Sequence, residues 1–283
     1  MIAADLHSHT RASDGACNAL ELVTVAVARG VSLFAITDHD TVSSVQAGRD
    51  AAASAGLAFV GGVELSAQHS GVSIHVVGLN IDETHASLAT AMAQTRDLRS
   101  TRAIEMARDL ELSGIPNPYE GAKRFAANSD LISRTHFSRY LVEQGICGSN
   151  GEVFARFMKP GKPGYVSVEW MPLEKSIALI HAAGGDAVLA HPARYDCDRM
   201  GGVEAMVKEF KAAGGNAIEV VCSGHSPSDW AKFAALARKY DLRASIGSDF
   251  HSHAESRVKI GDLPRLSGSL VPVWRDWALP SLH

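Results

Sequence analysis

Cysteine is scarce in this 283-residue chain: Cys17, Cys147, Cys197 and Cys222 lie far apart and form no CxxC pair. That spacing disfavours both a structural zinc ribbon and a disulfide framework, which need cysteines in close or regular sets. Long apolar runs are missing too. No stretch approaches the roughly 20 residues of a membrane helix, and the opening MIAADLHSHT has neither the basic nor the apolar part of a signal peptide. A cytoplasmic protein with no membrane partner is therefore expected. Basic charge is in deficit, with a formal net charge of −4. Holding long DNA on a broad surface depends on many Lys and Arg displacing counterions, so that class is excluded while a small anionic substrate is not. Aromatic residues are few, with five Tyr, four Trp and nine Phe, yet there are thirteen His. Such a surplus points to metal or proton chemistry. At 46% hydrophobic and 20% charged residues, the chain is an ordinary globular one rather than disordered. Its length fits one α/β barrel of roughly 250 residues carrying an insertion.

Short apolar runs followed by polar or His-rich turns and then Ala/Leu/Glu-rich stretches indicate about seven β-α units. The expected strands cover residues 2–6, 32–36, 58–63, 73–79, 187–190, 217–221 and 244–246. Helices are expected at 19–28, 43–55, 173–183, 203–213 and 229–240, with Gly30, Gly56, Gly184 and Gly214 where C-terminal caps belong. Between residues 84 and 164 the rhythm breaks into helical pattern alone. The chain is accordingly divided into a barrel of residues 1–99 and 163–283 and a helical insertion of residues 100–162, expected to act as a substrate lid. From Gln94 to Tyr165 there are eleven basic and eight acidic residues, a local +3 that leaves −7 for the remainder. The insertion is the basic part of an acidic protein, which fits a solvated helical face or a lid that grips an anion.

The polar residues of most chemical interest fall at the C-terminal ends of the expected strands: His7 and His9 after the first, Asp38 and His39 after the second, Glu64 after the third, His191 after the fifth, and Asp249 and His251 after the seventh. His75 lies within the fourth strand and Asp14 in the loop after the first. In barrels of parallel strands this rim is where active sites form, because loops from distant parts of the chain meet there. Six imidazoles and three carboxylates without a thiolate suit Mn, Fe or Zn and disfavour copper-thiolate or iron-sulfur chemistry. The spacing His7-Ser8-His9 directs both rings to one side of an extended chain.

These motifs, DLHSHT with Asp14, TDHDT at 37–41, GVELS at 62–66, IHVVG at 74–78, AHP at 190–192 and GSDFH at 247–251, resemble the PHP (polymerase and histidinol phosphatase) family. The resemblance implies a distorted (β/α)7 barrel with a helical insertion and two to three divalent metal ions, Mn first among the choices and Fe or Zn as alternatives. Carried over residue by residue, it implies one ion at His7, His9, Glu64 and Asp249, a second at Glu64, His75 and His191, and a third at Asp14, His39 and His251. The stretches SRTHFSRYL at 133–141, KPGKPGYVSV at 159–168, HPARY and SGHSP resemble the nucleotide-directed branch of the family. That branch includes 3′,5′-nucleoside bisphosphate phosphatases and the RNase AM type of 5′-to-3′ exoribonuclease.

The implied activity is metal-dependent hydrolysis of the 3′-phosphate of a 3′,5′-bisphosphonucleoside such as pAp, with 5′-to-3′ cleavage of short RNA as the alternative within enzymes. A non-catalytic metal- or partner-binding barrel is the alternative outside them. Neighbouring divalent ions lower the pKa of a bridging water from about 15.7 toward roughly 7 and clamp the attacking and leaving oxygens. Three ions would outweigh the charge of Asp14, Glu64 and Asp249 and make the site locally cationic. For the substrate itself, Arg134 is the expected phosphate clamp because its planar fork binds phosphate bidentately. His136, Lys159 and Lys162 are expected beside it, and His225 is expected to contact substrate or protonate the leaving oxygen. Asp38 and Asp40 are expected to orient the ligands. His69, His85, His181, His253 and His283 have no expected role.

Overall fold

In the computed structural model, which describes residues 2–279, eight strands form one sheet. They are β1 (Ala4–Asp5), β2 (Leu33–Ile36), β3 (Ala58–His69), β4 (Val72–Leu79), β5 (Met171–Pro172), β6 (Asp186–Leu189), β7 (Ala217–Cys222) and β8 (Arg243–Gly247). Seven of them follow the order β1-β2-β3-β4-β6-β7-β8, and the short β5 pairs with β3. The two ends of this order meet: Leu6 N donates to Ile246 O at 3.0 Å, and Ser8 bridges Phe250 in parallel. The result is a distorted, nearly closed barrel. His283 lies outside the described residues.

Not every strand is parallel, as the sequence reading assumed. β4 is antiparallel to both β3 and β6. The cause is the link between β3 and β4, which is only Ser70-Gly71, both at positive φ (49° and 73°). A two-residue turn of this hand can join only antiparallel neighbours, whereas a parallel connection needs a crossover of a dozen residues or more. β3 also runs six residues past its expected end, to His69. Glu64 therefore sits inside a strand rather than after it. Ser66 pairs with His75 and Glu64 with Val77, so Glu64, Ser66 and His75 share one face.

The helices are α1 (Ala19–Ala28), α2 (Val45–Ala55), α3 (Ala86–Leu112), α4 (Pro118–Lys123), α5 (Arg134–Glu143), α6 (Asn150–Val153), α7 (Leu173–Ala182), α8 (Val203–Ala212) and α9 (Pro227–Lys239). Between β4 and β5 the regular structure is entirely helical. This segment has an apolar cluster of its own, including Ala103, Met106, Leu110, Phe137, Leu141 and Phe157. α3 belongs to two cores: Leu88 and Met92 pack with the barrel, while Ala103 to Leu110 pack with the helical cluster. The expected boundary after residue 99 thus falls inside a continuous 27-residue helix, because the change of core needs no break in the chain. No described helix is long and apolar enough to cross a membrane. All four cysteines are free and buried.

Candidate metal centre

The site begins where β1 is extended toward β8. Asp249 N donates to His7 O at 2.8 Å and His9 N to Phe250 O at 2.9 Å, so segment 7–9 lies alongside segment 249–251. A Cβ on Gly247 would come within 2.2 Å of the His7 Cβ, and only glycine lets His7 sit there. β2 makes a matching approach: Glu64 N donates to Asp38 O at 3.1 Å and Asp40 N to Glu64 O at 3.0 Å, which sets His39 against Glu64. Asp40, His191 and Asp249 all have positive φ (49°, 29° and 49°). That region is unfavourable for residues with a Cβ, and its clustering at one site marks local strain held by the surrounding structure.

Glu64, fully buried, is the hub. Its Oε1 lies 2.8 Å from His75 Nδ1 and 2.8 Å from His191 Nε2, and its Oε2 lies 3.0 Å from His39 Nδ1, 3.2 Å from His9 Nε2 and 3.3 Å from His7 Nε2. Asp249 Oδ1 is 3.0 Å from His9 Nε2, 3.4 Å from His7 Nε2 and 3.6 Å from His251 Nδ1. Asp14 Oδ1 is 3.3 Å from His251 Nε2 and 3.9 Å from His39 Nε2. All nine expected ligand residues are thereby brought together. Three of their groups have donor atoms within 4.8 Å of one another: His7/His9/Glu64/Asp249, His9/Asp14/His39/His251 and His39/Glu64/His75. His191 joins the last through Glu64 and lies 3.4 Å from His75 Nδ1.

The donor set fits divalent metal. His7 Nε2, Asp14 Oδ1, His39 Nδ1 and Glu64 Oε2 are buried without a hydrogen-bond partner, a costly arrangement unless another group claims those atoms. Protons substitute partly for cations. Burial favours a neutral imidazole at His9, but hydrogen bonds and charge from Asp249 and Glu64 outweigh it and hold its pKa up at about 10. At His191 burial, reinforced by Arg194, prevails and the pKa falls to about 4. Burial pushes Glu64 and Asp249 up, yet the surrounding imidazoles, with Arg194 first for Asp249, bring both carboxylates well below their ordinary range.

The residues around this cluster divide sharply. Asp38 accepts hydrogen bonds from Thr10 N, Thr10 Oγ1 and Ser13 Oγ at 2.6–2.7 Å, which fixes the loop carrying Asp14. Asp40 accepts from Ser66 N, Ser66 Oγ and Arg99 Nε, joining β3 to α3. Arg134, the first residue of α5, lies over the Phe154 ring at 5.7 Å and lines a cavity. His136 is 1% exposed and its Nδ1 accepts from Ser133 N at 3.0 Å, so it closes a capping box on α5. Burial brings its pKa to about 4. Lys159 and Lys162 are exposed. His225 is buried beside Phe233, with Nδ1 donating to Val220 O at 3.1 Å and Nε2 accepting from Ala193 N at 3.5 Å. Burial lowers the pKa of this ring against the hydrogen bond to Val220, and an Nε2 that accepts from Ala193 N carries no proton. His69 and His181 pair with Glu209 and Asn216.

Several contributors escaped the sequence reading. Glu219, in β7, accepts from His7 Nδ1 at 2.7 Å and from His191 N at 2.5 Å. Its one signal was a lone charge inside AIEVVC. Arg194, within the HPARY stretch, pairs with Asp249 Oδ2 and donates to Ser223 O at 2.9 Å. The Tyr195 hydroxyl accepts from His75 N at 2.9 Å and donates to Ala190 O at 2.8 Å, fastening two ligand-bearing segments. Ser133 and Thr135 both donate to Asp14 Oδ2, at 3.0 and 2.9 Å.

Known proteins resemble this chain over nearly its whole length. The model of the PHP domain matches residues 5–128. A 3′,5′-nucleoside bisphosphate phosphatase from Chromobacterium violaceum is 42% identical over 272 residues, covering 96% of this chain and 95% of its own. The 5′-3′ exoribonuclease Rnm of Escherichia coli is 41% identical over 278 residues, covering 98% and 94%. An amidohydrolase structure from Chromobacterium violaceum, with bound sulfate and no metal, superposes with a TM-score of 0.92 at 42% identity over 96% of this chain and 95% of that one.

Proposed function

Because this chain belongs to the PHP family and is a hydrolase of phosphate esters, we propose that it removes the 3′-phosphate of 3′,5′-bisphosphonucleosides, leaving a 5′-nucleotide. The observation that carries this reading is the continuity between the ligand cluster and α5. Asp14 is held by Ser133 and Thr135, the residues on either side of Arg134, so a second phosphate at Arg134 would lie next to the ester at the metals. The relative from Chromobacterium violaceum is named a 3′,5′-nucleoside bisphosphate phosphatase, which supports this substrate class. A bisphosphonucleotide in the cytoplasm is a small polyanion, suited to a site that is cationic when loaded, and the free cysteines are compatible with a reducing compartment.

Two to three divalent ions, Mn first among them, would be held by His7/His9/Glu64/Asp249, Glu64/His75/His191 and Asp14/His39/His251. When bound, such ions supply a hydroxide at neutral pH and neutralise phosphoryl charge. The protein's own part is orientation. Glu219 receives the Nδ1 proton of His7, which turns the Nε2 lone pair toward Glu64 and Asp249. Arg194 neutralises the Asp249 oxygen that faces away from the imidazoles. Arg134 holds the phosphate that is not cleaved. His225 acts as part of the frame, since both its ring nitrogens are engaged.

Phosphate release from a substrate panel with added Mn²⁺ tests the assignment: 3′,5′-bisphosphoadenosine is expected to outpace histidinol phosphate, and equal rates would remove it. The Rnm relative at 41% identity favours a second reading, 5′-to-3′ exoribonuclease action on short RNA. An end-labelled oligonucleotide would then shorten stepwise with release of mononucleotides.

A further inference from the structure

α5 reaches the ligand cluster at two points, and both serve the Asp14/His39/His251 group. At its N-terminus, Ser133 Oγ and Thr135 Oγ1 donate to Asp14 Oδ2 at 3.0 and 2.9 Å. Asp14 Oδ1 is left buried without a hydrogen-bond partner among the described residues, 3.3 Å from His251 Nε2 and 3.9 Å from His39 Nε2. One turn further along, Arg139 grips Glu255 with two hydrogen bonds, Nε to Oε1 at 2.8 Å and Nη2 to Oε2 at 2.7 Å. The pair is largely withdrawn from water, with side chains 10% and 22% exposed.

Glu255 in turn fixes the turn that follows His251. Its Oε2 accepts from Ser252 Oγ and its N donates to Ser252 Oγ, both at 3.0 Å. Ser256 Oγ accepts from His251 N at 2.8 Å and from Ser252 N at 3.2 Å. His251 Nδ1 donates to Asp249 O at 3.0 Å; a carbonyl can only accept, so in the neutral ring the Nε2 lone pair faces Asp14.

The other ligands take their outer partners from the barrel. Glu219 of β7 serves His7 and His191, Tyr195 serves His75, and Arg194 serves Asp249. Among the described residues no hydrogen bond from residues 133–143 reaches those ligands. A carboxylate held through one oxygen presents the other in a fixed direction, so less rotamer freedom is lost when an ion binds. The N-terminus of a ten-residue helix also favours the charge of Asp14.

We propose that α5 sets the affinity of one ion of the centre, that at Asp14/His39/His251, and of no other. Ser133, Thr135 and Arg139 are positioning residues, the first two acting through Asp14 and the third through Glu255 and the turn after His251. This rests on the ligand reading given above. At a given metal concentration the helical segment then governs how many ions the centre holds, one fewer when α5 is loosened than when it is seated.

The test counts Mn²⁺ bound per full-length chain by equilibrium dialysis and metal analysis over a range of free Mn²⁺. The chains are wild type, Thr135→Val, Thr135→Ser, Arg139→Met, Arg139→Lys and Asp14→Asn, with folding checked by thermal melting. Thr135→Val removes one hydroxyl from Asp14 with little change of shape, and Arg139→Met leaves Glu255 without its cation. Each is expected to weaken one ion by about 10–100-fold, the scale for outer partners of metal ligands, and to leave the others within about threefold. Thr135→Ser is expected to restore the wild-type curve, and Arg139→Lys to restore part of it, since lysine returns the charge without the fork. Adding Glu255→Gln to Arg139→Met is expected to cost no further affinity, because both changes remove one contact. If Arg139→Met does not fold, Thr135→Val decides. A helix that is merely structural would lower the melting temperature and weaken all ions alike or none; either result in the folded variants would overturn the proposal. Asp14→Asn separates the two levels. One ion lost in Asp14→Asn but kept in Thr135→Val and Arg139→Met removes the role of α5 alone, whereas Asp14→Asn binding Mn²⁺ as wild type does removes the ligand reading and the proposal with it.

Discussion

Replacing Glu219 by Gln keeps the side chain's shape and removes one charge from beneath the proposed metal ligands. The carboxylate receives two hydrogen bonds, from His7 Nδ1 at 2.7 Å and His191 N at 2.5 Å, and it is 1% exposed. A glutamine can accept one of them with its carbonyl but turns an NH₂ toward the other donor. One buried N–H is therefore left facing another, in a place water does not reach. Hydrogen bonds to charged groups are worth about 1.5–3 kcal/mol, which corresponds to the 10–100-fold change in metal affinity typical of outer partners of ligating histidines. The same carboxylate also helps keep a proton on His7 in the metal-free protein: burial opposes that proton, but Glu219, Glu64 and Asp249 together raise the ring well above its usual range. A metal must displace that proton, so part of the lost affinity is recovered near pH 7. The expected result in Mn²⁺ titration calorimetry is a loss of about 10–100-fold at pH 8.5 and a smaller one at pH 7. A folded variant, verified by thermal melting, that binds Mn²⁺ within about threefold of wild type at both pH values would refute the argument, since one lost hydrogen bond of this kind exceeds that margin.

Three further outcomes are expected. Metal uptake at pH 7.5 should release at least one proton per chain, because His9 is held protonated up to about pH 10 and only a neutral imidazole coordinates; calorimetry in two buffers of different ionisation enthalpy reads the release, and identical heats would contradict it. His136, with its pKa brought down to about 4, is neutral in the folded protein at a pH where the unfolded chain takes a proton. Its contribution is intact above about pH 6.5 and is lost as the pH falls toward 4, a span worth roughly 3 kcal/mol. His136→Gln should flatten that part of the pH dependence of Tm, and an unchanged acid limb would count against it. Arg99→Met leaves Asp40 buried without its cation, at a cost of about 3–5 kcal/mol. For a chain of this size that is a drop in Tm of about 6–20 °C, and a shift below about 2 °C would show that Asp40 is neutralised by another route.

The site was more legible than the fold around it. His7, His9, Asp249 and His251 could be placed because alternate residues at a strand end share a direction, and two such pairs on adjacent strands face one another. The reversed direction of β4 was written in Ser70-Gly71, but a Ser-Gly step also occurs in ordinary loops, and only the register of β3 on β4 shows it to be a tight turn. β5 spans two residues, too few for any period to register. Glu219 was hidden because a buried strand tolerates one polar residue when a distant partner satisfies it, and His7 lies 212 positions away. Arg102, an 8% exposed residue of α3, was hidden for the converse reason. A guanidinium on a helix is read as facing water, and its burial becomes visible only once Trp170 lies against it.

The continuity of α3 bears on how this architecture can be altered. A cap joined to its barrel by two flexible strands of chain can swing, and can be swapped between relatives as a cassette. A cap whose first helix is rooted in the barrel through Leu88 and Met92 and continues unbroken into the outer cluster can do neither without bending that helix. Access to the centre must then come from smaller adjustments, in the segment of residues 159–170 that returns to the barrel or in the side chains lining its mouth. Grafting a foreign cap onto this barrel would have to preserve helical phase across residues 92 to 103, because one residue more or fewer would rotate everything beyond it by about 100°.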